Sequence, residues 1–154
     1  MDILKDIVAD KKRMSVDNVV IVNFLKEYLQ YPVLDFIYNG NEYNDFVFVG
    51  GSCLRICFDG PRLSEDLDFD LPEVSWKKFD LKVFAEKAAT VLRTKYLLPV
   101  EIKTQSDYRV YFKFPILKEL GLAGRSDSDL LFVKVEPNKM SFADAAVEIT
   151  TISR

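Results

Sequence analysis

The sequence predicts an α+β fold, one layered domain in which a mixed β-sheet carries helices packed on it. Three observations lead there. The patterns run in the order two helices, strand–helix–strand, a long helix, a hairpin and further strand. The 154 residues are 49% hydrophobic and 13% aromatic, which suits one domain with a sizeable core and excludes a disordered chain. No repeat, linker or low-complexity segment divides the chain.

Each element has its own signal. Residues 2–12 read as a short helix with Ile3, Leu4, Ile7 and Val8 on one face. Ser15 to Asp17 offers a cap for a second helix carrying Val19, Val20, Val22, Phe24, Leu25, Tyr28 and Leu29. That helix should weaken near Pro32, with "PVLDFIYNG" extending it to about Asn39. "DFVFVGG" is a short buried strand, "SCLRICF" a helix of under two turns, and "DGPR" a turn. "DLDFDL" alternates strictly and is a second strand. Residues 75–97 read as the longest helix, capped at Ser75, with Phe79, Val83, Phe84 and Leu92 facing inward. "PVEIKTQ" and "YRVYFKF" form an antiparallel hairpin around Ser106-Asp107, "LLFVKVE" is a further strand, and "AAVEITTI" is expected as the last.

Composition excludes several chemistries. The formal charge is −3, so the overall field does not draw the protein onto nucleic acid; such contact requires a local basic patch. Histidine is absent, which rules out a Ser-His-Asp triad, a Cys-His pair and His-ligated zinc. Acid–base work falls to carboxylates, Lys or Tyr. Cys53 and Cys57, four apart on a helix, read as packing residues. No signal peptide is visible and no apolar run approaches the roughly 18 residues that span a bilayer. The expectation is a cytoplasmic protein with no membrane partner.

The most informative stretch is "FVFVGGSCLRICFDGPRLSEDLDFD", Phe46 to Asp70. Period two places Asp66, Asp68 and Asp70 on one face of a strand and Leu67, Phe69 and Leu71 on the other. The apolar face is the core. Like charges this close repel unless neutralised, and a divalent cation does this well. Taken alone, the acidic face reads equally as a solvated edge. An EF-hand-like calcium loop fits poorly, since the spacing lacks its glycine and places Leu and Phe between the acids. Gly50-Gly51-Ser52, after one strand and opening a helix, lets backbone N–H groups approach a phosphate. Alone that is a tight turn; with the acidic strand it makes two halves of a nucleotide–metal site.

These residues resemble the nucleotidyltransferase superfamily related to DNA polymerase beta, and more closely its AbiEii/AbiGii branch of abortive-infection toxins. The shared positions are Gly50, Gly51, Ser52, Leu54, Arg55, Arg62, Ser64, Glu65, Asp66, Leu67, Asp68 and Phe69, and a later Lys-x-acidic strand matches Lys134 and Glu136. The likeness covers about residues 45–153, behind N-terminal helices in residues 1–40, all in one nucleotidyltransferase domain, 1–154. The branch usually continues into a helical C-terminal region with a DxxK and an RDxxD, expected to be absent from this chain.

The resemblance implies transfer of a nucleoside monophosphate from an NTP to an acceptor hydroxyl, with release of pyrophosphate. It implies Mg²⁺ (or Mn²⁺) on Asp66, Asp68 and Glu136, the triphosphate on Gly50, Gly51 and Ser52, and phosphate charge offset by Arg62 and Lys134. Asp70 competes for the third carboxylate role. Four residues along one strand it should stand about 13 Å from Asp66, too far to share a metal, which favours Glu136. Implied partners are an RNA acceptor, with the tRNA 3′ end as a candidate, and a cognate antitoxin. Arg55 is open between a salt bridge and ligand contact, while Trp76 and Tyr31 read as core or rim residues. Two alternatives stand beside transfer: a nucleotide-binding or interaction module, and a metal-dependent nuclease, against which the Gly-Gly-Ser turn argues.

Overall fold

The computed structural model describes residues 1–142 and 146–153. Helix α1 (Asp2–Arg13) buries Leu4 and Val8, while Ile3, expected on the same face, is exposed. Helix α2 (Asn18–Tyr38) begins at Asp17, whose carboxylate accepts the Val19 N–H at 2.8 Å. The weakening expected at Pro32 does not occur, because the helix continues through it. A mid-helix proline costs about 3 kcal/mol. The residues that follow, Val33, Leu34 and Ile37, are all buried, and each contributes roughly 1.5–3 kcal/mol, so packing outweighs the lost N–H bond.

Strand β1 (Val47–Val49) leads directly into α3 (Gly50–Phe58), and β2 (Asp66–Leu71) follows after the turn. Cys53 and Cys57 are half-buried free thiols on α3, in keeping with packing. Burial, reinforced by Cys57, pushes the Cys53 thiol up to about 11.

The single helix expected over 75–97 is two: α4 (Glu73–Lys78) and α5 (Leu81–Thr94). Asp80 makes the break. Its carboxylate accepts the N–H groups of Lys82 and Val83 at 2.9 and 3.0 Å, so it caps α5, and Phe79 before it is extended. Ser75 lies inside α4 with its hydroxyl on the Asp45 carboxylate. The longest helix is therefore α2, with 21 residues. The buried face of α5 is Leu81, Phe84, Ala85, Ala88, Ala89 and Leu92; Val83, expected inward, falls off that stripe and is exposed.

Strands β3 (Glu101–Gln105) and β4 (Arg109–Pro115) form the expected hairpin, with Ser106 at φ 52° in its loop, and β5 (Leu130–Lys139) follows. The last strand expected, "AAVEITTI", does not form: residues 146–152 are in no strand, and Ala145 lies outside the described residues. Alternation alone supplies no pairing partner. Val147 and Ile149 are exposed, and Ile152 packs against the core.

The sheet order is β1-β2-β5-β4-β3. The β2–β5 pair is parallel and the other three are antiparallel. One face buries Leu67, Phe69, Val133, Val135, Val110 and Phe112 in the core shared with α2 and α5. The opposite face carries Asp66, Asp68, Lys134, Glu136, Arg109 and Tyr111, each half-buried. The described residues thus form an α+β domain of five helices and a five-stranded mixed open sheet.

Candidate functional site

The glycine turn and the acidic strand meet because β1 and β2 are antiparallel neighbours with Val49 opposite Asp68. The chain leaves β1 at Gly50, in the left-handed region at φ +79°, where a Cβ would stand 2.6 Å from Oδ2 of Asp68. A Cβ on Gly51 would stand 3.0 Å from Oγ of Ser64. The backbone opening α3 therefore lies against Asp68 and Ser64, and the first N–H groups of that helix have no intrahelical acceptor. Ser52 is buried, and its hydroxyl donates to the Asp66 carbonyl, tying the start of α3 to the start of β2.

The parallel register of β2 and β5 places Asp66 opposite Lys134 and Asp68 opposite Glu136. Lys134 Nζ lies 2.6 Å from Oδ2 of Asp66 and 3.2 Å from Oε1 of Glu136. Arg109, on β4, brings its Nε against the same Glu136 oxygen; both atoms are enclosed, and they face each other as charges without an aligned hydrogen bond. Burial raises Asp68 above the usual carboxylate range, and the neighbouring Glu136 and Asp66 raise it further. Burial works against a charged Lys134, but its bonds to Asp66 and Glu136 prevail and raise it. Asp70 lies outside this group, opposite Val47 on one side and Asn138 on the other.

The donor chemistry suits a hard divalent cation, since the cluster offers only carboxylate oxygens. Among the described residues no three acidic, His or Cys side chains are gathered around one point. The Lys134 ammonium stands between Asp66 and Glu136, a positive group drawn to the place where the carboxylates need one. Asp66, Asp68 and Glu136 thus match a hard cation in donor type and share one face by register, without being gathered around one point.

Arg62 is exposed. It lines a cavity of about 530 Å³ with Gly51, Leu54, Phe58 and Ser64, so it faces the glycine side of the site. Arg55, also on that cavity, is held by Glu27: Nε lies 3.0 Å from Oε2, and a terminal nitrogen donates to the Gly60 carbonyl at 2.9 Å. This answers the open reading of Arg55 with a salt bridge from α3 to α2. Trp76 is partly buried against the core. Sequence reasoning missed Arg109, Glu27 and the buried Gln30, which donates to the Ser64 carbonyl at 2.8 Å. Only strand and helix pairing brings these three to the site.

A glycine turn feeding a helix N-terminus beside a carboxylate-rich strand face is the layout of a nucleotide-handling enzyme. Residues 34–137, well over half of the chain, match the family model described as nucleotidyl transferase AbiEii toxin, type IV toxin–antitoxin system. The chain belongs to that family, and is a nucleotidyltransferase toxin of such a system. No curated protein matches it. Membership implies an NTP substrate and an antitoxin. Among the described residues no helix is long and apolar enough to cross a membrane.

Proposed function

We propose that this chain transfers a nucleoside monophosphate from an NTP to a hydroxyl of an RNA acceptor in the cytoplasm, with the 3′ end of tRNA as the leading candidate. The acceptor hydroxyl gives up its proton to water and its oxygen attacks the α-phosphorus; one P–O bond forms, the α–β anhydride bond breaks and pyrophosphate leaves. Backbone N–H groups of Gly50, Gly51 and Ser52 hold the triphosphate at the start of α3. The Ser52 hydroxyl keeps Asp66 in position through its carbonyl. Arg62 offsets phosphate charge from the cavity side, and Lys134 from the strand side. Asp66, Asp68 and Glu136 would hold Mg²⁺ or Mn²⁺, which would neutralise triphosphate charge and lower the pKa of the acceptor hydroxyl. Residues 45–153 are the transfer core, supported by the helices in residues 1–40, in one domain over 1–154.

The observation that carries this reading is the parallel register of β2 and β5, which sets Asp66 beside Lys134 and Asp68 beside Glu136. Incubation with labelled NTPs, Mg²⁺ and total RNA tests it. Lengthened, labelled RNA that disappears in Asp66→Ala/Asp68→Ala supports transfer. Shortened RNA would mean a nuclease, and NTP binding with neither outcome would mean a binding module.

A further inference from the structure

The open face of the sheet continues past the carboxylate cluster. Lys134 pairs across to Tyr111 on β4, and Tyr111 to Lys103 on β3. One step along the strands, Phe132 pairs with Lys113. The hairpin loop adds Tyr108, with the Arg109 guanidinium 5.4 Å from its ring centre. From Asp66 the row therefore reads acid, lysine, tyrosine, lysine across three strand spacings, or about 14 Å.

Several of these groups are available. Tyr108 in the loop and Phe132 on β5 are 46% and 39% exposed. Lys103 is exposed and Lys113 half-buried, and neither makes an ion pair among the described residues. The Tyr111 and Phe132 rings meet edge-on with centroids 6.5 Å apart. Glu101, opposite Lys113, and Asp107 in the loop are the acidic exceptions. In a chain of formal charge −3, Lys103 and Lys113 are cations of this face that no ion pair holds among the described residues, whereas Lys134 and Arg109 are engaged by Asp66 and Glu136.

Cations interleaved with exposed rings suit one chemistry best. Single-stranded nucleic acid offers unstacked bases to aromatic faces and phosphates to lysines. A duplex keeps its base faces stacked inside and has no use for the rings. We infer that the open face of β3, β4 and β5 is the platform for the single-stranded 3′ end of the RNA acceptor. Tyr108 and Phe132 stack on bases, Lys103 and Lys113 meet phosphates, and the strand runs toward Asp66, Asp68 and Glu136. The inference rests on the proposed RNA acceptor and specifies where that RNA lies.

The test uses the whole chain and a labelled single-stranded RNA of about a dozen nucleotides. Binding is read by fluorescence anisotropy over a salt series, NTP binding is read in parallel, and thermal melts confirm folding. Lys103→Glu/Lys113→Glu should weaken RNA binding at least tenfold, reduce the log–log salt slope by about 0.7 per lost phosphate contact, and leave NTP binding unchanged. Tyr108→Ala/Phe132→Ala should weaken it by about tenfold or more with the slope unchanged. A matched duplex should bind more weakly than the single strand. Unchanged RNA affinity in both pairs, an equal loss in the control Lys78→Glu/Lys82→Glu, or preference for the duplex would overturn the platform. Wild-type protein that lengthens RNA while the platform variants keep full affinity would sink this inference and leave transfer standing. RNA binding lost in the variants, with no NTP binding by the wild type, would uphold the platform and sink transfer.

Discussion

Replacing Gly50 with alanine strikes two features at once. The residue sits at φ +79°, where an L-residue is strained by roughly 1–2 kcal/mol. Its new Cβ would also stand 2.6 Å from Oδ2 of Asp68. Ordinary contact lies near 3.4 Å or beyond, so the carboxylate must retreat by about 0.8 Å or the turn must lift away. The near atom is the end of the Asp68 side chain, and the strand beneath it is paired on both sides, to β1 and β5, so the carboxylate rather than the backbone gives way. The combined stability cost is about 2 kcal/mol, which for a domain of this size lowers the melting temperature by about 4–8 °C. The activity cost is larger, because a misplacement near 1 Å in a reacting site costs about a hundredfold. Melting curves and labelled-NTP transfer, assayed well below the variant's transition, separate the two effects. Gly51→Ala is the comparator: its φ is not positive, and its Cβ would meet the Ser64 side chain at 3.0 Å, so both losses should be smaller. A Gly50→Ala protein with wild-type melting and wild-type transfer would refute this reasoning.

Other substitutions read other parts of the structure. Ser52→Ala removes the buried hydroxyl bond to the Asp66 carbonyl and should cost about 1–2 kcal/mol in urea denaturation, with slower transfer because β2 loses its tie to α3. Arg55→Ala leaves Glu27, mostly buried, without its partner; a loss of about 2 kcal/mol is expected, with incomplete recovery in Arg55→Lys, because an ammonium cannot span both Glu27 and the Gly60 carbonyl. Asp35 gives a pH signature. Burial opposes its charge, but bonds from Lys95 at 2.6 Å, Tyr96 and Asn39 outweigh that and lower its pKa. A lowered carboxylate pKa adds stability above the unfolded value near 4 and loses it as pH falls through the folded value. Asp35→Asn should therefore be less stable than wild type by about 1–2 kcal/mol at pH 7, with the gap closing in denaturation curves taken below about pH 4.

Local signals carried much of this fold. The alternation of residues 66–71 marks β2 to the residue, and the glycine pair marks the start of α3. The helix break at Phe79 was hidden because Ser75 and Asp80 are both good caps, and only tertiary contact chooses between them: Ser75 meets Asp45 while Asp80 turns to its own helix. Pro32 signals a weakening that does not occur, since its local cost is overridden by burial, while the expected extension to about Asn39 holds. At the site, Lys134 and Glu136 share a face by simple parity. Their placement beside Asp66 and Asp68 depends on parallel pairing across more than sixty residues of chain, which periodicity does not encode and the family likeness implied. Arg109 stayed invisible for the same reason. It is an ordinary strand arginine until β4 lies against β5.

On the proposed reading, the register pair of Asp68 and Glu136, and not the run of aspartates along β2, defines the reacting site. Comparing Glu136→Gln with Asp70→Asn for transfer from labelled NTP to RNA tests it most directly, with both variants confirmed as folded. Glu136→Gln should lower transfer by about a hundredfold or more, while Asp70→Asn should stay close to wild type. Loss of transfer in Asp70→Asn with activity retained in Glu136→Gln would contradict it.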